Sequence, residues 1–408
     1  MRDISKQSWY PWLVVFLLWI VAMLNYLDRL MIASMRDPVK ASIPMTEAQF
    51  GLLTTIFLVV YGVLSPLGGY LSDRFNRKVV IIFSLLTWSA VTVWTGLVHT
   101  YGGMLTARAF MGISEACFIP AAVAMVVEYH PGSTRSLASG IFYSGTYAGM
   151  ALGGLGGYIA ETWGWRAGFH LFGIIGILYA LVLVLFLRNI PRTATLAVAE
   201  EDKSDVKFTE VLKNLYTSLN YWLIIVYSIL LGVTLWLIYA WLPTFFKEGF
   251  HLSLGVAGVS ATAYIQVAAF AGILIGGVTA DRWSRKNKKA RFLVPAIAFL
   301  VGGPFLYLMA TTEIFVIAII GITIFGLSKG FHDSNYMPMV AQIVDKRYLA
   351  TGYGMLTFFS VLSGGAMIYV GGMLRDAGVS LSFVFMLSAL GVILSALILL
   401  VIKPKNNP

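Results

Sequence analysis

Charge is what this chain has least of. Only 12% of its 408 residues are Asp, Glu, Lys or Arg, about half the share in an ordinary water-soluble domain, while 58% are hydrophobic. A water-exposed surface cannot be built from that mixture. There is one cysteine, Cys117, so no disulfide can form within the chain and thiol content does not set a redox compartment. His-Glu-x-x-His and the P-loop Gly-x-x-x-x-Gly-Lys-Ser/Thr are both absent, which leaves zinc hydrolysis and ATP-driven pumping without support. The expectation is a chain that is not an enzyme and uses no metal or organic cofactor.

What is present is apolar length. A hydrocarbon core about 30 Å thick is crossed by about 20 apolar helical residues. Such stretches recur at roughly 12–35, 48–70, 79–98, 102–127, 137–160 and 167–188, and again at roughly 221–245, 254–279, 291–310, 314–340, 350–373 and 380–402. Lipid offers no partner to open backbone groups, and the polar-apolar alternation of a barrel is missing, so all are read as helices. The expected fold is an all-α membrane protein with twelve transmembrane helices in two pseudo-symmetric six-helix bundles, 1–188 and 221–408. Between them, 189–220 is a charge-mixed cytoplasmic linker carrying Pro191, Glu200, Glu201, Asp202, Lys203 and Asp205. The first span is too long for a cleaved signal peptide and carries Asp28 and Arg29.

The net charge of +10 does not point to nucleic acid. Most of the Lys and Arg residues fall in short loops at helix ends on the side holding both termini, the positive-inside pattern. Both termini are thus expected in the cytoplasm, with the chain in the inner (cytoplasmic) membrane, in contact with membrane lipid and monomeric.

The chain repeats itself. Gly69-Tyr70-Leu71-Ser72-Asp73-Arg74-Phe75-Asn76-Arg77-Lys78 recurs as Gly277-Val278-Thr279-Ala280-Asp281-Arg282-Trp283-Ser284-Arg285-Lys286. Each copy closes the second span of its half. A second correspondence pairs Gly112, Glu115 and Pro120 with Gly330, Asp333 and Pro338 on the fourth span of each half. Parallel repeats of this kind put a solute site near the bilayer midplane and give alternating access by rocking. The repeated Gly-x-x-x-Asp-Arg-x-x-Arg-Lys loop resembles the signature loop of the major facilitator superfamily, with Asn76 and Ser284 where that family usually has glycine. The resemblance implies that Asp73, Arg74, Arg77, Asp281, Arg282 and Arg285 form a cytoplasmic gate whose carboxylate-guanidinium bonds break and reform during transport.

Asp28, Arg29, Arg108, Glu115, Lys329 and Asp333 fall inside the spans. A charge at the bilayer centre costs about 2.5–3.5 kcal/mol even on the lenient insertion scale, so these six must be paired or face water. Arg108 and Glu115 stand two helical turns apart on one face. Asp28 and Arg29 diverge by about 100° and need separate partners. Lys329 and Asp333 have the i, i+4 spacing of an ion pair, with His332 and Asn335 beside them. His332 is a possible proton-route member or a plain hydrogen-bonded residue. The glycine run Gly153-Gly154-Leu155-Gly156-Gly157 reads as a close helix contact, and Thr46-Glu47-Ala48-Gln49 as a capping box.

Asn25-Tyr26-Leu27-Asp28-Arg29, Arg108-x6-Glu115 and Trp241-Leu242-Pro243-Thr244-Phe245 together resemble the anion:cation symporter family. That likeness implies proton-coupled import of a small organic anion, most simply a sugar acid. Asp28 and Glu115 would carry protons, Arg108 would anchor the substrate carboxylate and Arg29 would tune them. Tyr26, Tyr239 and Trp241 would shape the sugar site, with Lys329, His332, Asp333 and Asn335 contributing from the second half. A spinster-like lipid carrier, which shares the first-span Asp-Arg and the Arg-x6-Glu, is the alternative.

Overall fold

A computed structural model describes residues 8–130, 134–189, 215–344 and 349–404. Most of the expected linker therefore lies outside the described residues, which contain helices and no strand. Eleven helical stretches among them are long and apolar enough to cross a membrane, and the fold is the all-α, multi-pass membrane architecture read from hydropathy.

The described chain packs into two compact units. The first contains α1 (Tyr10–Ser34), α2 (Arg36–Ser42), α3 (Glu47–Arg74), α4 (Arg77–Leu97), α5 (Tyr101–Glu115), α6 (Phe118–Tyr129), α7 (Arg135–Leu152), α8 (Leu155–Trp163) and α9 (Trp165–Phe186). Segments Tyr239–Ala263 and Ile368–Gly378 also belong to it. The second unit takes the rest of α10 (Leu219–Gly249), α11 (Leu254–Ser284) and α14 (Leu349–Asp376). It also holds α12 (Ala290–Thr311), α13 (Phe315–Ile343) and α15 (Leu381–Val401).

Two expected spans are broken helices. The fourth is α5 followed by α6, interrupted at Ala116 and Cys117 directly after Glu115. The fifth is α7 followed by α8, parted at Gly153 and Gly154, and it is not among the eleven apolar stretches. Ser139, Ser144, Thr146 and the glycines dilute its hydropathy. Those glycines do what their run suggested. A Cβ on Gly154 would collide with the Gly258 carbonyl of α11, and one on Gly156 would stand 2.8 Å from the Met31 carbonyl of α1. Backbone comes this close to backbone because glycine itself has no side chain to hold the helices apart.

Local chemistry fixes the helix starts. Thr46 caps α3 through Gln49 N–H to Oγ1 (3.1 Å) while Gln49 Oε1 accepts the Thr46 N–H (2.9 Å), a complete capping box. Asn76 has φ −62° and caps α4 by accepting the Val79 N–H. This position needs a side-chain acceptor and no left-handed backbone, so asparagine in place of the family's glycine fits.

The duplication survives in the packing. Gly112 of α5 lets α3 approach, its absent Cβ being 2.7 Å from the Phe57 carbonyl, and Gly330 of α13 does the same for α11 at Ala269 and Gly272. Corresponding glycines press the fourth span of each half onto the second.

Candidate functional site

In the first unit, the charges of α1 and α5 meet. Arg29 donates Nη2 (2.7 Å) and Nε (3.2 Å) to Oε2 of Glu115, and a second Nη2 contact reaches Asn25 Oδ1 one turn back (3.0 Å). Both side chains are buried. The guanidinium also lies 4.5, 4.9 and 4.6 Å from the ring centres of Tyr26, Phe57 and Tyr61, within cation-π range. The Tyr26 hydroxyl is in electrostatic reach of Arg29, Tyr61, Tyr143 and Tyr239, so phenol oxygens gather around this pair.

Arg108 is fully buried and has no such partner. Its Nε and Nη2 donate to the carbonyls of Leu53 (3.3 Å) and Arg29 (3.4 Å), and Nη1 faces Met111 Sδ at 3.1 Å. Phe57 sits 5.0 Å from this guanidinium too. Among the described residues no carboxylate comes within ion-pair distance of it. Helical spacing brings Arg108 and Glu115 to one buried face, but Arg29 is the cation that Glu115 holds. Asp28, buried and turned from Arg29 as its spacing requires, receives a long contact from Thr92 Oγ1 (3.5 Å), and its Oδ1 has no hydrogen bond.

The second unit holds the α13 group. Lys329 Nζ meets Asp333 Oδ2 at 2.6 Å, the pair its spacing allowed. His332 Nδ1 is 2.5 Å from the Tyr227 hydroxyl of α10, and its Nε2 is 3.8 Å from Asp333 Oδ1. Phe299 and Tyr336 pack on the imidazole, and Tyr336 shares a 2.7 Å bond with Ser228. Asn335, buried, donates to the Phe331 carbonyl and Ser334, leaving Oδ1 without a donor. Gly326-Leu327-Ser328-Lys329-Gly330 has the Gly-x-Ser-x-Gly spacing of a hydrolase elbow, but it runs through the middle of α13 and Ser328 Oγ donates to the Ile324 carbonyl. That chemistry needs a strand-to-helix turn.

At the repeated loops, Arg74 donates to Tyr70 (2.6 Å), Arg77 pairs with Glu128 of α6, and Asp281 pairs with Arg291 of α12 (2.7 Å). Arg282 and Arg285 are exposed. The Asp73 side chain lies outside the described residues.

The opposite helix ends of the first unit carry a network that hydropathy reading passed over. Arg36 pairs with Asp37, Glu47 and Glu248; Lys247 pairs with Asp37; Lys40 reaches Glu47 at 2.6 Å. Arg375 of α14 takes Glu248 at 2.9 Å and approaches Glu47 at 3.7 Å. Asp376 accepts the backbone N–H groups of Glu47 and Ala48 at 2.9 and 2.8 Å, a carboxylate on a helix N-terminus. Trp241 is placed in this network, fully buried, with Arg375 5.6 Å above its ring and Phe50 edge-on at 6.1 Å. Burial alone would raise the Asp37 carboxyl, but the Lys247 ammonium and Arg36 guanidinium outweigh it and hold it below its ordinary value.

A broken fourth-span helix placing an acid beside a first-span arginine, with matching glycines in each half, calls for comparison with known carriers. The family model described as Major Facilitator Superfamily matches residues 18–368. The chain belongs to that superfamily. It is 25% identical over 393 residues to the "Probable sulfoacetate transporter SauU" of Cupriavidus necator, covering 93% of this chain and 90% of that one. With the "Probable galactarate/D-glucarate transporter GudP" of Bacillus subtilis it shares 28% identity over 360 residues, 80% and 77% of the two chains. Among solved structures, an inward-facing, occupied bacterial homologue of the human lysosomal transporter Spinster superposes with a TM-score of 0.77 at 20% identity, over 97% of this chain and 96% of that one. Membership makes this superfamily chain a multi-pass transporter and not an enzyme.

Proposed function

We propose that this transporter imports a small organic anion of the sugar-acid class together with protons, by alternating access. The observation that carries the reading is Arg108, a permanently charged, fully buried guanidinium held among the described residues by carbonyls, a thioether and the Phe57 ring and by no carboxylate. An organic carboxylate supplies the bidentate partner such a group otherwise takes. Glu115 is engaged by Arg29, whereas Asp28 has no fixed cation on it, so Asp28 exchanges a proton most directly and Glu115 does so when Arg29 lets go. The phenols of Tyr26, Tyr61, Tyr143 and Tyr239 in the first unit match the hydroxyls of a sugar acid. Relatives named for sulfoacetate and galactarate support an anionic, hydrophilic cargo.

In this reading, residues 1–188 and 221–408 rock as bundles about the 189–220 linker, and both termini are cytoplasmic. The network of Arg36, Asp37, Glu47, Lys247, Glu248 and Arg375 is then the periplasmic gate, and the Asp73 and Asp281 loops are its cytoplasmic counterpart. One chain holds both charge clusters, so the monomer is the transporting unit.

Proteoliposomes supplied with radiolabelled galactarate, galacturonate or gluconate should accumulate one of them and alkalinise the outside as they do. Uptake indifferent to collapse of both the pH gradient and the membrane potential would sink the proton-coupled reading. A second reading, a spinster-like lipid carrier, rests on Asp28-Arg29 and Arg108-x6-Glu115, which resemble that group's motifs as well. Lys329, Asp333 and Asn335 weigh against it, because a lipid path is better served by an apolar lining. Lysolipid flux without sugar-acid flux would decide for it.

A further inference from the structure

The outer face of the first unit bears two grooves of comparable size, and they differ in one respect. The groove along α4, about 530 Å³, is lined by Phe83, Leu86, Thr87, Ala90, Val91 and Trp94 and holds no charge. The other, about 410 Å³, runs between the start of α1 and the end of α9 and terminates at Arg188. Its walls are tied by two tyrosine rungs, Tyr10 to the Phe186 carbonyl (2.7 Å) and Tyr179 to the Leu17 carbonyl (3.0 Å). The rungs hold α1 and α9 at a spacing that leaves a furrow.

Arg188 lines one end of this furrow, and a second cation stands near it. Lys78, at the start of α4, donates to the Val184 carbonyl (2.8 Å), and its own N–H donates to Asn189 Oδ1 (3.1 Å), which brings it into electrostatic reach of Arg188. Among the described residues neither Lys78 nor Arg188 forms an ion pair. Two like charges held together without an acid favour an anion between them. Trp9, half exposed, lines the same end, where a tryptophan suits the headgroup level of a bilayer. From Trp9 to Ile20 the helical rise spans about 17 Å, close to one leaflet of a hydrocarbon core about 30 Å thick.

We propose that the α1–α9 groove binds one anionic phospholipid, its phosphate between Lys78 and Arg188 and an acyl chain along Leu13, Phe16, Leu17 and Ile20. The proposal rests on the membrane orientation given above only for naming the leaflet, which is then the cytoplasmic one. That leaflet offers the anionic headgroups such a cation pair selects.

Native mass spectrometry of the detergent-solubilised full chain, titrated with phosphatidylglycerol and with phosphatidylcholine, tests it. One phosphatidylglycerol should be retained at least tenfold more strongly than phosphatidylcholine. Lys78→Gln/Arg188→Gln should abolish the preference, Lys78→Arg should keep it, and Leu13→Trp, which fills the furrow and spares both cations, should reduce it. Unfolding midpoints confirm that each variant is folded. Equal retention of the two lipids by the native chain would overturn the proposal. So would a preference that survives the double variant, one unaffected by Leu13→Trp, or one erased by millimolar inorganic phosphate, which would reveal a simple anion site. Transport of sugar acids is read separately, so failure of the lipid site leaves the carrier function standing.

Discussion

Glu115 gives one oxygen, Oε2, to both Nε and Nη2 of Arg29 across 86 residues of sequence, and its other oxygen accepts no hydrogen bond. The acid stands on the last turn of α5, where the helix breaks before α6.

Removing one partner of a buried pair leaves the other uncompensated, at a typical cost of about 3–5 kcal/mol. Arg29→Gln alone should lower the unfolding midpoint in detergent sharply, while Arg29→Gln/Glu115→Gln should recover most of the loss. Neither should transport. A double variant as unstable as the single one would show that the rings around Arg29, and not its pairing, hold it in place.

Arg108 should behave in the opposite way. It has no ion pair to lose among the described residues, and a buried charge is itself costly. Arg108→Met is expected to unfold within a few degrees of the native chain and, if the proposed function holds, to lose the thermal stabilisation expected of the native chain on adding a sugar acid. A large drop in the midpoint would mark Arg108 as a structural strut.

For the network of Arg36, Asp37, Glu47, Lys247, Glu248 and Arg375 the expected pH response has a definite sign. Asp37 is held below its ordinary carboxylate value by Lys247 and Arg36 against the pull of burial, so its stabilising contribution is complete above that ordinary value and disappears as pH falls through the lowered one. Thiol labelling at Phe50→Cys, in a Cys117→Ser background, should increase on acidification relative to an Asp37→Asn control at the same pH. Identical labelling of the two at every pH would exclude Asp37 as a gate element. The effect is modest because Asp37 is about one-third exposed.

Asp281 and Arg291 form an exposed pair worth about 1 kcal/mol or less. Asp281→Asn should therefore leave the unfolding midpoint and sugar-acid binding almost unchanged and slow turnover severalfold. Proportional loss of binding and turnover would place Asp281 outside the gate.

Hydropathy disclosed the membrane architecture because twenty-residue apolar runs have few other uses, and the twin loops disclosed the duplication. Pair partners were less visible. Lys329 and Asp333 lie one turn apart and could be matched by spacing, whereas Arg29 and Glu115 are joined only by tertiary packing. Tyr61 and Tyr143 looked like any span aromatics. The Arg36 to Asp376 network is not legible in the sequence, because charges at helix ends are ordinary topological markers until folding brings four helix ends together. The fifth span is legible as a helical length and not as a jointed one, since the glycines that suggest close packing also dilute its hydropathy and sever the helix.

Where Gly154 meets Gly258, neither glycine carries a side chain and two main chains come together, with the Thr262 hydroxyl of α11 donating across the contact to the Ala151 carbonyl (2.8 Å). Interlocked knobs would need to change rotamer before one helix could slip past another, and each change would add a barrier. Between Gly154 and Gly258 there are no such knobs, so a single threonine hydroxyl, which can change its acceptor without a rotamer barrier from its neighbours, is what ties the broken fifth span to α11 here.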